Sequence, residues 1–166
     1  MVINKQNDQI SISLDNGIYI AYGYIEDRPN TICINFNSKL PPSIKDSMVI
    51  SNPGEYEMFG VIIKVSPFNN TFLSAEGIKI TYAIDTKEIL DDKNFNHGDI
   101  IIFDNNQDKV ASLQDIVKIE KDIQPKLLIM NSSLDSNNTN SSEKVSKLKI
   151  KKNELDLIID TKIYLI

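Results

Sequence analysis

The chain contains very few of the side chains that metal and nucleophilic chemistry require. Its 166 residues include one cysteine, Cys33, and one histidine, His97. Zn²⁺ is held by several nitrogen, sulfur or carboxylate ligands in near-tetrahedral geometry, and two donors so far apart show no zinc-binding spacing. We therefore expect no metal ligands, no catalytic residues and no cofactor in this chain.

The histidine and the cysteine each have a structural interpretation. His97 lies in FNHGDI, a turn-like stretch, and no Gly-x-Ser-x-Gly pattern supplies a nucleophile for it. We therefore expect a solvated turn histidine. Cys33 lies in the apolar stretch TICIN, which predicts a buried, inert thiol. The glycines form neither a phosphate loop nor a dinucleotide-binding fingerprint.

Two charged groups could bind ions, although each has an ordinary explanation. The acidic group consists of Asp85, Glu88, Asp91 and Asp92. Carboxylates of this density could gather Mg²⁺, but they fit a solvated helix face equally well, and we favour that face. The basic group consists of Lys147, Lys149 and Lys151, whose alternation places them on one side of a strand. Lysines on an edge strand usually prevent aggregation, and we favour that role over anion binding.

The first clear element is a β-hairpin in ISISLDNGIYIAYGY, around Asp15, Asn16 and Gly17. A three-residue loop puts the apolar residues of both strands on one face, whereas a two-residue loop would oppose them. The pattern therefore predicts the three-residue loop, with Gly17 in the left-handed conformation.

Later segments change from short strands to an α/β pattern. TICIN, MVIS and MFGVIIKVS predict strands, and TFLS and IKITYAI predict a second hairpin around AEG. DTKEILDDKNF indicates a short helix or turn, while DIIIF and KLLIM are typical of buried strands. QDKVASLQDIVKIEKDIQ predicts a helix that packs on a sheet, with Asp108 as its cap and Pro125 beyond its end. Residues 131–142 predict a polar, flexible loop.

Composition favours one globular domain over residues 1–166. Apolar residues make up 41 % of the chain and charged residues 25 %, which suits a packed core. The net charge of −5 disfavours a nucleic-acid partner, because phosphate binding depends on Lys and Arg. No signal peptide or membrane-spanning run is visible, so we expect a cytoplasmic protein without a membrane partner.

VISNPGEYEMFGVIIKV contains the string Pro53, Gly54, Glu55, Tyr56 and Glu57. This string resembles a segment of metallo-β-lactamase-fold proteins of the ascorbate phosphate lactonase-like branch. QISISLDNGIYIAYG resembles the opening strands of that branch, and the stretch from DIIIF to KLLIMNSS resembles its late strand, helix and final strand. Pro53 and Gly54 also suggest a type II turn entering a strand, so the string can be shared for folding alone.

The resemblance implies where the metal ligands of that family would fall in this chain. The His-x-His-x-Asp-His motif falls on Phe36, Ser38, Leu40 and Pro41, two later histidines fall near Phe68 and Ser132, and the bridging aspartate falls on Asp85. Only the last of these keeps a ligand side chain, and a lone carboxylate does not hold Zn²⁺ usefully. The resemblance thus implies a degenerate member that lacks the metal ligands.

The expected fold is an α/β, metallo-β-lactamase-like sandwich of two mainly antiparallel sheets with few outer helices, shortened relative to active relatives. Because lost loops and helices expose apolar surface, the leading hypothesis is a non-catalytic protein that acts by protein binding or assembly, with an unknown partner or a second copy. One alternative is a hydrolase with a relocated or metal-free site. A second is a weak RNA-binding pseudoenzyme that uses residues 147–152.

Overall fold

The fold is given by a computed structural model that describes residues 1–6, 9–23, 28–36, 46–84, 86–91, 98–103, 113–130 and 142–166. Helices and strands in chain order are β1 (Val2–Gln6), β2 (Gln9–Ser13), β3 (Tyr19–Tyr22), β4 (Thr31–Ile34), β5 (Met48–Ile50), β6 (Gly54–Met58), β7 (Val61–Val65), β8 (Thr71–Ala75), β9 (Ile78–Ala83), α1 (Thr86–Asp91), β10 (Ile100–Phe103), α2 (Leu113–Asp122), β11 (Leu127–Met130), β12 (Ser142–Lys144), β13 (Lys147–Lys149), α3 (Lys152–Asp156) and β14 (Lys162–Leu165).

The chain divides into two compact units, each with its own sheet. The first consists of Met1–Asn52 with Ser146–Ile150, and the second of Pro53–Val145 with Lys151–Ile166. The single domain expected from length stays a prediction. None of the described helices is long and apolar enough to cross a membrane.

The first unit holds a six-stranded sheet in the order β13-β1-β2-β3-β4-β5. Ile12 pairs with Ile20 across the β2–β3 hairpin, and the Leu14 amide donates to the Ile18 carbonyl at 2.9 Å. This register leaves a three-residue loop in which Gly17 has φ 85°. The predicted loop length and the left-handed glycine are both confirmed, because only that register keeps the apolar residues of both strands on one face.

Cys33 lies on β4 in this sheet. Its side chain is buried, and Sγ donates to the Gly23 carbonyl oxygen at 3.0 Å. The predicted burial of the thiol is therefore confirmed.

The second unit holds an eight-stranded sheet in the order β12-β14-β11-β10-β9-β8-β7-β6. Strands β6 to β9 pair antiparallel, whereas β9, β10, β11, β14 and β12 pair parallel. The first sheet is also mixed, because β3, β4 and β5 pair parallel. The two sheets are therefore mixed where the sequence indicated mainly antiparallel ones.

The second hairpin is confirmed between β8 and β9, with a shorter loop than AEG. Ala75 pairs with Ile78, so the loop consists of Glu76 and Gly77 alone. Their φ angles are 53° and 71°, the left-handed pair that a type I′ turn requires. A two-residue type I′ turn matches the right-handed twist of the flanking strands. Ala75 is therefore the last residue of β8 and not a loop residue.

Helices α1 and α2 cover one face of the eight-stranded sheet. Their buried residues Ile89, Ile116 and Ile119 form one apolar cluster with side chains of β9, β10, β11 and β14. All residues of β10 and β11 are buried, which confirms the strands predicted from DIIIF and KLLIM. α2 ends before Pro125 and packs on the sheet as predicted, while Asp108 and the start of the predicted helix lie outside the described residues.

Two further predictions differ from the structure at their boundaries or in their turn type. Gly54 has φ 155° and pairs with Val65 as the first residue of β6, whereas a type II turn needs about 80°. The type II turn is therefore wrong, because the glycine is part of the ladder. Residues 131–141 of the predicted polar loop lie outside the described residues, and Ser142 already belongs to β12.

Candidate functional site

Five parallel strands of the eight-stranded sheet, β9, β10, β11, β14 and β12, have their carboxyl ends side by side. The register places Ala83 beside Phe103, Phe103 beside Met130, Met130 beside Leu165, and Leu165 beside Lys144. In α/β sheets, ligands bind preferentially outside the carboxyl ends of parallel strands. We call this row of strand ends, together with the turn that joins β7 to β8, the carboxyl edge. It is the candidate site of the second unit.

The turn reaches the carboxyl edge because β8 runs antiparallel to β9 and begins with Thr71 opposite Tyr82. Ser66 organises the turn: its Oγ accepts from the Phe68 amide at 3.2 Å and from the Asn70 amide at 3.1 Å. Asn70 in turn accepts from the Ile84 amide through Oδ1 at 2.7 Å. These bonds tie the turn to the end of β9 and hold it in one conformation.

The polar side chains at this turn are deeply buried. Ser66, Asn70 and Thr71 are each at most 2 % exposed. Thr71 Oγ1 has no hydrogen-bond partner among the described residues. A buried hydroxyl without a partner costs free energy, so this position is a local cost in the fold. The three side chains at this turn offer only hydroxyl and amide groups, which neither titrate near neutral pH nor bind Zn²⁺ strongly.

The composition of SPFNN is typical of a turn, and that composition alone did not predict the group of hydrogen bonds around Ser66 and Asn70. The Ser66 hydroxyl bonding to amides two and four residues later is a recognised turn signal of serine, so the Ser-Pro start could have indicated it. The bond from Ile84 to Asn70 spans 14 residues and depends on sheet pairing, which local sequence does not show.

Of the seven positions where the resemblance places family ligands, the structure describes two. Phe36 follows β4 in the first unit and is half-buried, whereas Phe68 lies in the turn of the carboxyl edge and is 59 % exposed. Phe36 thus belongs to the first unit and Phe68 to the second. The other five, Ser38, Leu40, Pro41, Asp85 and Ser132, lie outside the described residues. The loss of ligands at these positions stays a prediction.

Pro53 precedes β6, and the other four residues of the Pro-Gly-Glu-Tyr-Glu string begin this outermost strand of the eight-stranded sheet. Glu55 and Glu57 are exposed, and Glu55 accepts from Lys64 Nζ at 3.0 Å across the β6–β7 pair. Tyr56 is half-buried opposite Ile63. In the structure the string is thus a strand with two outward carboxylates.

The acidic group predicted as a helix face is described only in part. Asp91 is exposed at the end of α1, the side chain of Glu88 lies outside the described part, and so do Asp92 and His97. Within the described ranges, no three His, Cys, Asp or Glu side chains lie close enough to hold a metal ion.

The edge position predicted for the basic group is confirmed for Lys147 and Lys149, whereas Lys151 lies after the strand, directly before α3. Lys147 and Lys149 are exposed on β13, the outermost strand of the six-stranded sheet. Beyond the strand, Lys151 pairs with Glu154 at 3.0 Å and Lys152 with Asp156 at 2.6 Å. The hydrogen bond that Lys152 Nζ donates to Asp156 Oδ1 raises the pKa of Lys152. These pairs partly neutralise the stretch that an RNA backbone would contact, and RNA binding stays a prediction.

Two further ionisable groups are perturbed, and both lie in the first unit. Burial raises the pKa of the Tyr22 phenol well above its ordinary value, because the charged form cannot be solvated there. The Met1 ammonium, 2.6 Å from Asp15, lowers the pKa of that exposed carboxyl through a hydrogen bond. Burial and an ion pair within the first unit account for the two shifts.

No family model matches the chain, and no curated protein matches it. Among solved structures, a candidate Zn-dependent hydrolase of the metallo-β-lactamase superfamily from Thermotoga maritima aligns with a TM-score of 0.73 and 15 % identity, covering 99 % of this chain and 98 % of that one. Zn²⁺-bound PqqB from Methylobacterium extorquens aligns at 10 % identity and a TM-score of 0.42, over 67 % of this chain and 60 % of that one.

The chain therefore has the metallo-β-lactamase fold, which confirms the fold class and, at the level of the fold, the resemblance. The lactonase-like branch and the loss of metal ligands stay predictions. At such low identity the likeness concerns the path of the backbone and not the chemistry of a site.

Proposed function

We propose that this chain is a non-catalytic, cytoplasmic metallo-β-lactamase-fold protein that acts by binding a protein partner or by assembly. The observation that carries the proposal is the donor set: one imidazole and one thiol in the whole chain. The thiol is buried on β4 and donates a hydrogen bond to the Gly23 carbonyl oxygen, which is the environment of a structural cysteine. Only His97 and carboxylates remain, which do not fit the nitrogen- and sulfur-rich sites that Zn²⁺ prefers.

The alternative is a hydrolase with a relocated or metal-free site, since the aligned Thermotoga protein is a candidate Zn-dependent hydrolase. Such a site would need a general base or a metal beside a nucleophile. The described part of the carboxyl edge offers Ser66, Asn70 and Thr71, and two of these already hold the turn together. This arrangement favours a structural role, and the alternative is the weaker candidate.

Protein binding is supported by an apolar surface on a fixed backbone. Leu157 and Ile159, between α3 and β14, are 80 % and 92 % exposed. Lys126 Nζ donates to the carbonyl of the intervening Ile158 at 2.7 Å, and Thr161 Oγ1 donates to Pro125 at 2.6 Å. We call residues 157–159 the aliphatic loop. A loop already held in place loses little conformational freedom on binding, which favours its use as an anchor.

The metal content of the protein tests the non-catalytic half of the proposal. Protein purified without chelator should carry zinc and manganese far below one equivalent, and a chelator should leave its thermal unfolding unchanged, because no site links metal binding to folding. A stoichiometric transition metal that is required for hydrolysis of any ester or lactone substrate would defeat the proposal.

Paired substitutions test the binding half. The double change Leu157→Ser with Ile159→Ser should abolish recovery of a partner from native lysate while leaving thermal unfolding nearly unchanged, since both side chains are solvated. Val117→Ser is the matched control, because Val117 is 61 % exposed on α2 and lies outside the aliphatic loop. Equal partner recovery by the double variant and the control would exclude the loop as the binding surface.

A further inference from the structure

Strand β6 ends the eight-stranded sheet with a regular pattern of outward backbone groups. Met58 pairs with Val61 across the two-residue loop of Phe59 and Gly60. The closing pair of such a hairpin is hydrogen-bonded, and hydrogen-bonded pairs recur at every second residue. Glu55 and Glu57, the alternate residues, therefore direct their N–H and C=O groups away from β7, toward the side on which no described strand pairs with β6.

Strand β13 ends the six-stranded sheet in the same way. The Ile150 amide donates to the Met1 carbonyl at 3.0 Å, and the Lys5 amide donates to the Ser146 carbonyl at 3.4 Å. Even-numbered residues of β13 therefore face β1, and Lys147 and Lys149 direct their N–H and C=O groups outward. The side chains of both lysines are exposed.

The two edges carry opposite charge at matching spacing. Two copies of β6 side by side would oppose glutamates, and two copies of β13 would oppose lysines, and like charges directly opposite are destabilising. An antiparallel β6–β13 pair opposes Glu55 with Lys149 and Glu57 with Lys147. Both are pairs of outward residues, so each closes backbone hydrogen bonds. Between them Tyr56 meets Leu148, each half-buried at present, in the pair where side chains approach most closely.

We propose that β6 of one copy pairs with β13 of a second copy of this chain. This inference rests on the proposed assembly function and names its surface. Each copy offers one acidic and one basic edge, so the contact is heterologous and joins copies head to tail, either into a closed ring or into an open row. Like charges therefore disfavour pairing between two copies of β6 or two copies of β13, and opposite charges favour pairing of β6 with β13.

Charge reversal on each edge tests the pairing. Wild-type protein should self-associate in sedimentation velocity, and association should weaken with salt. Glu55→Lys with Glu57→Lys, and separately Lys147→Glu with Lys149→Glu, should each weaken self-association by at least about tenfold, because two attractive pairs become repulsive. Mixing the two variants should restore association, since the reversed β6 edge of one then meets the reversed β13 edge of the other.

Matched controls change net charge equally at another place. Glu120→Lys with Asp122→Lys, on the exposed side of α2, should associate like wild type, and so should Lys118→Glu with Lys121→Glu. If a reversed variant folds poorly by circular dichroism, Glu57→Gln and Lys147→Gln provide milder changes with the same direction of effect.

Two results would overturn the pairing: a wild-type chain that is monomeric at every concentration, or a mixture of the reversed variants that does not associate. A monomer that still recovers its partner through the aliphatic loop would leave the proposed function standing without this contact. Metal-dependent turnover would remove the proposed function whatever the state of assembly.

Discussion

The parallel centre and the antiparallel end of the eight-stranded sheet differ in what surrounds them. In the centre, every residue of β10 and β11 is buried, with α1 and α2 packed on one face. At the end, β7 alternates between buried and more exposed positions, and β6 has no fully buried residue. The centre therefore carries stability, while the end is free to carry charge and contacts.

The difference follows from the neighbours that each strand has. A strand with strands on both sides and cover on both faces can be apolar throughout, whereas an outer strand must keep one face compatible with water. Substitutions should consequently have large effects on folding in the centre and small effects at the end. The predictions below move from the first region to the second.

The largest effect is expected in the centre, at Phe103 of β10. Phe103→Ala should lower the free energy of unfolding by about 3–5 kcal/mol, because a side chain 2 % exposed leaves a cavity in the cluster under α1 and α2. Denaturant unfolding would measure it. Ile62→Ala on β7, where Ile62 is 44 % exposed, should cost less than about 1 kcal/mol. Equal costs at the two sites would contradict the comparison.

A smaller effect is expected at the turn that leads from the end to the centre. Gly77→Ala should lower the free energy of unfolding by about 1 kcal/mol, because Gly77 has φ 71° while a new Cβ would meet no atom within 4 Å. Glu76→Asn should act in the opposite direction, by up to about 1 kcal/mol, since Asn-Gly suits a type I′ turn. Thermal or denaturant unfolding of both variants gives the two signs, and two shifts of the same sign would rule out the turn assignment.

The smallest effect is expected at the outer pair of strands. Lys64 and Glu55 form an ion pair at 3.0 Å with side chains 39 % and 75 % exposed, so Lys64→Ala should change the free energy of unfolding by less than about 0.5 kcal/mol. The change should shrink further in concentrated salt. A loss as large as that at Phe103 would show that the end of the sheet shares in the stability of the centre.

The sequence predicted strands and turns correctly wherever a local pattern was compatible with only one backbone arrangement. The register of the first hairpin followed from keeping Ile12 and Ile20 on one face, and the buried strands followed from the uninterrupted runs DIIIF and KLLIM. The turn type at Gly54 was misjudged because a Pro-Gly pair suits several backbone paths. Pairing with Val65 selects the path with φ 155° at Gly54, and that partner is 11 residues away.

The candidate site was much less readable. The Ser66 turn, the buried Thr71 hydroxyl and the bond from Ile84 to Asn70 depend on which strand ends meet at one edge. Most positions named through the family resemblance lie outside the described residues, and Phe36 and Phe68 fall in different units. The sequence therefore showed which residue types are present but did not predict which of them lie side by side in the fold.

By itself, the sequence determined which chemical groups are present, namely one imidazole, one thiol and a net charge of −5. It also determined the spacing of apolar residues that favours strands or helices. These depend only on residue type and spacing along the chain. Tertiary structure decided which strands become edges, and with that the outward placement of Glu55, Glu57, Lys147 and Lys149. A strand becomes an outermost strand when no described strand pairs with its second side. That outcome depends on pairing between residues far apart in the chain.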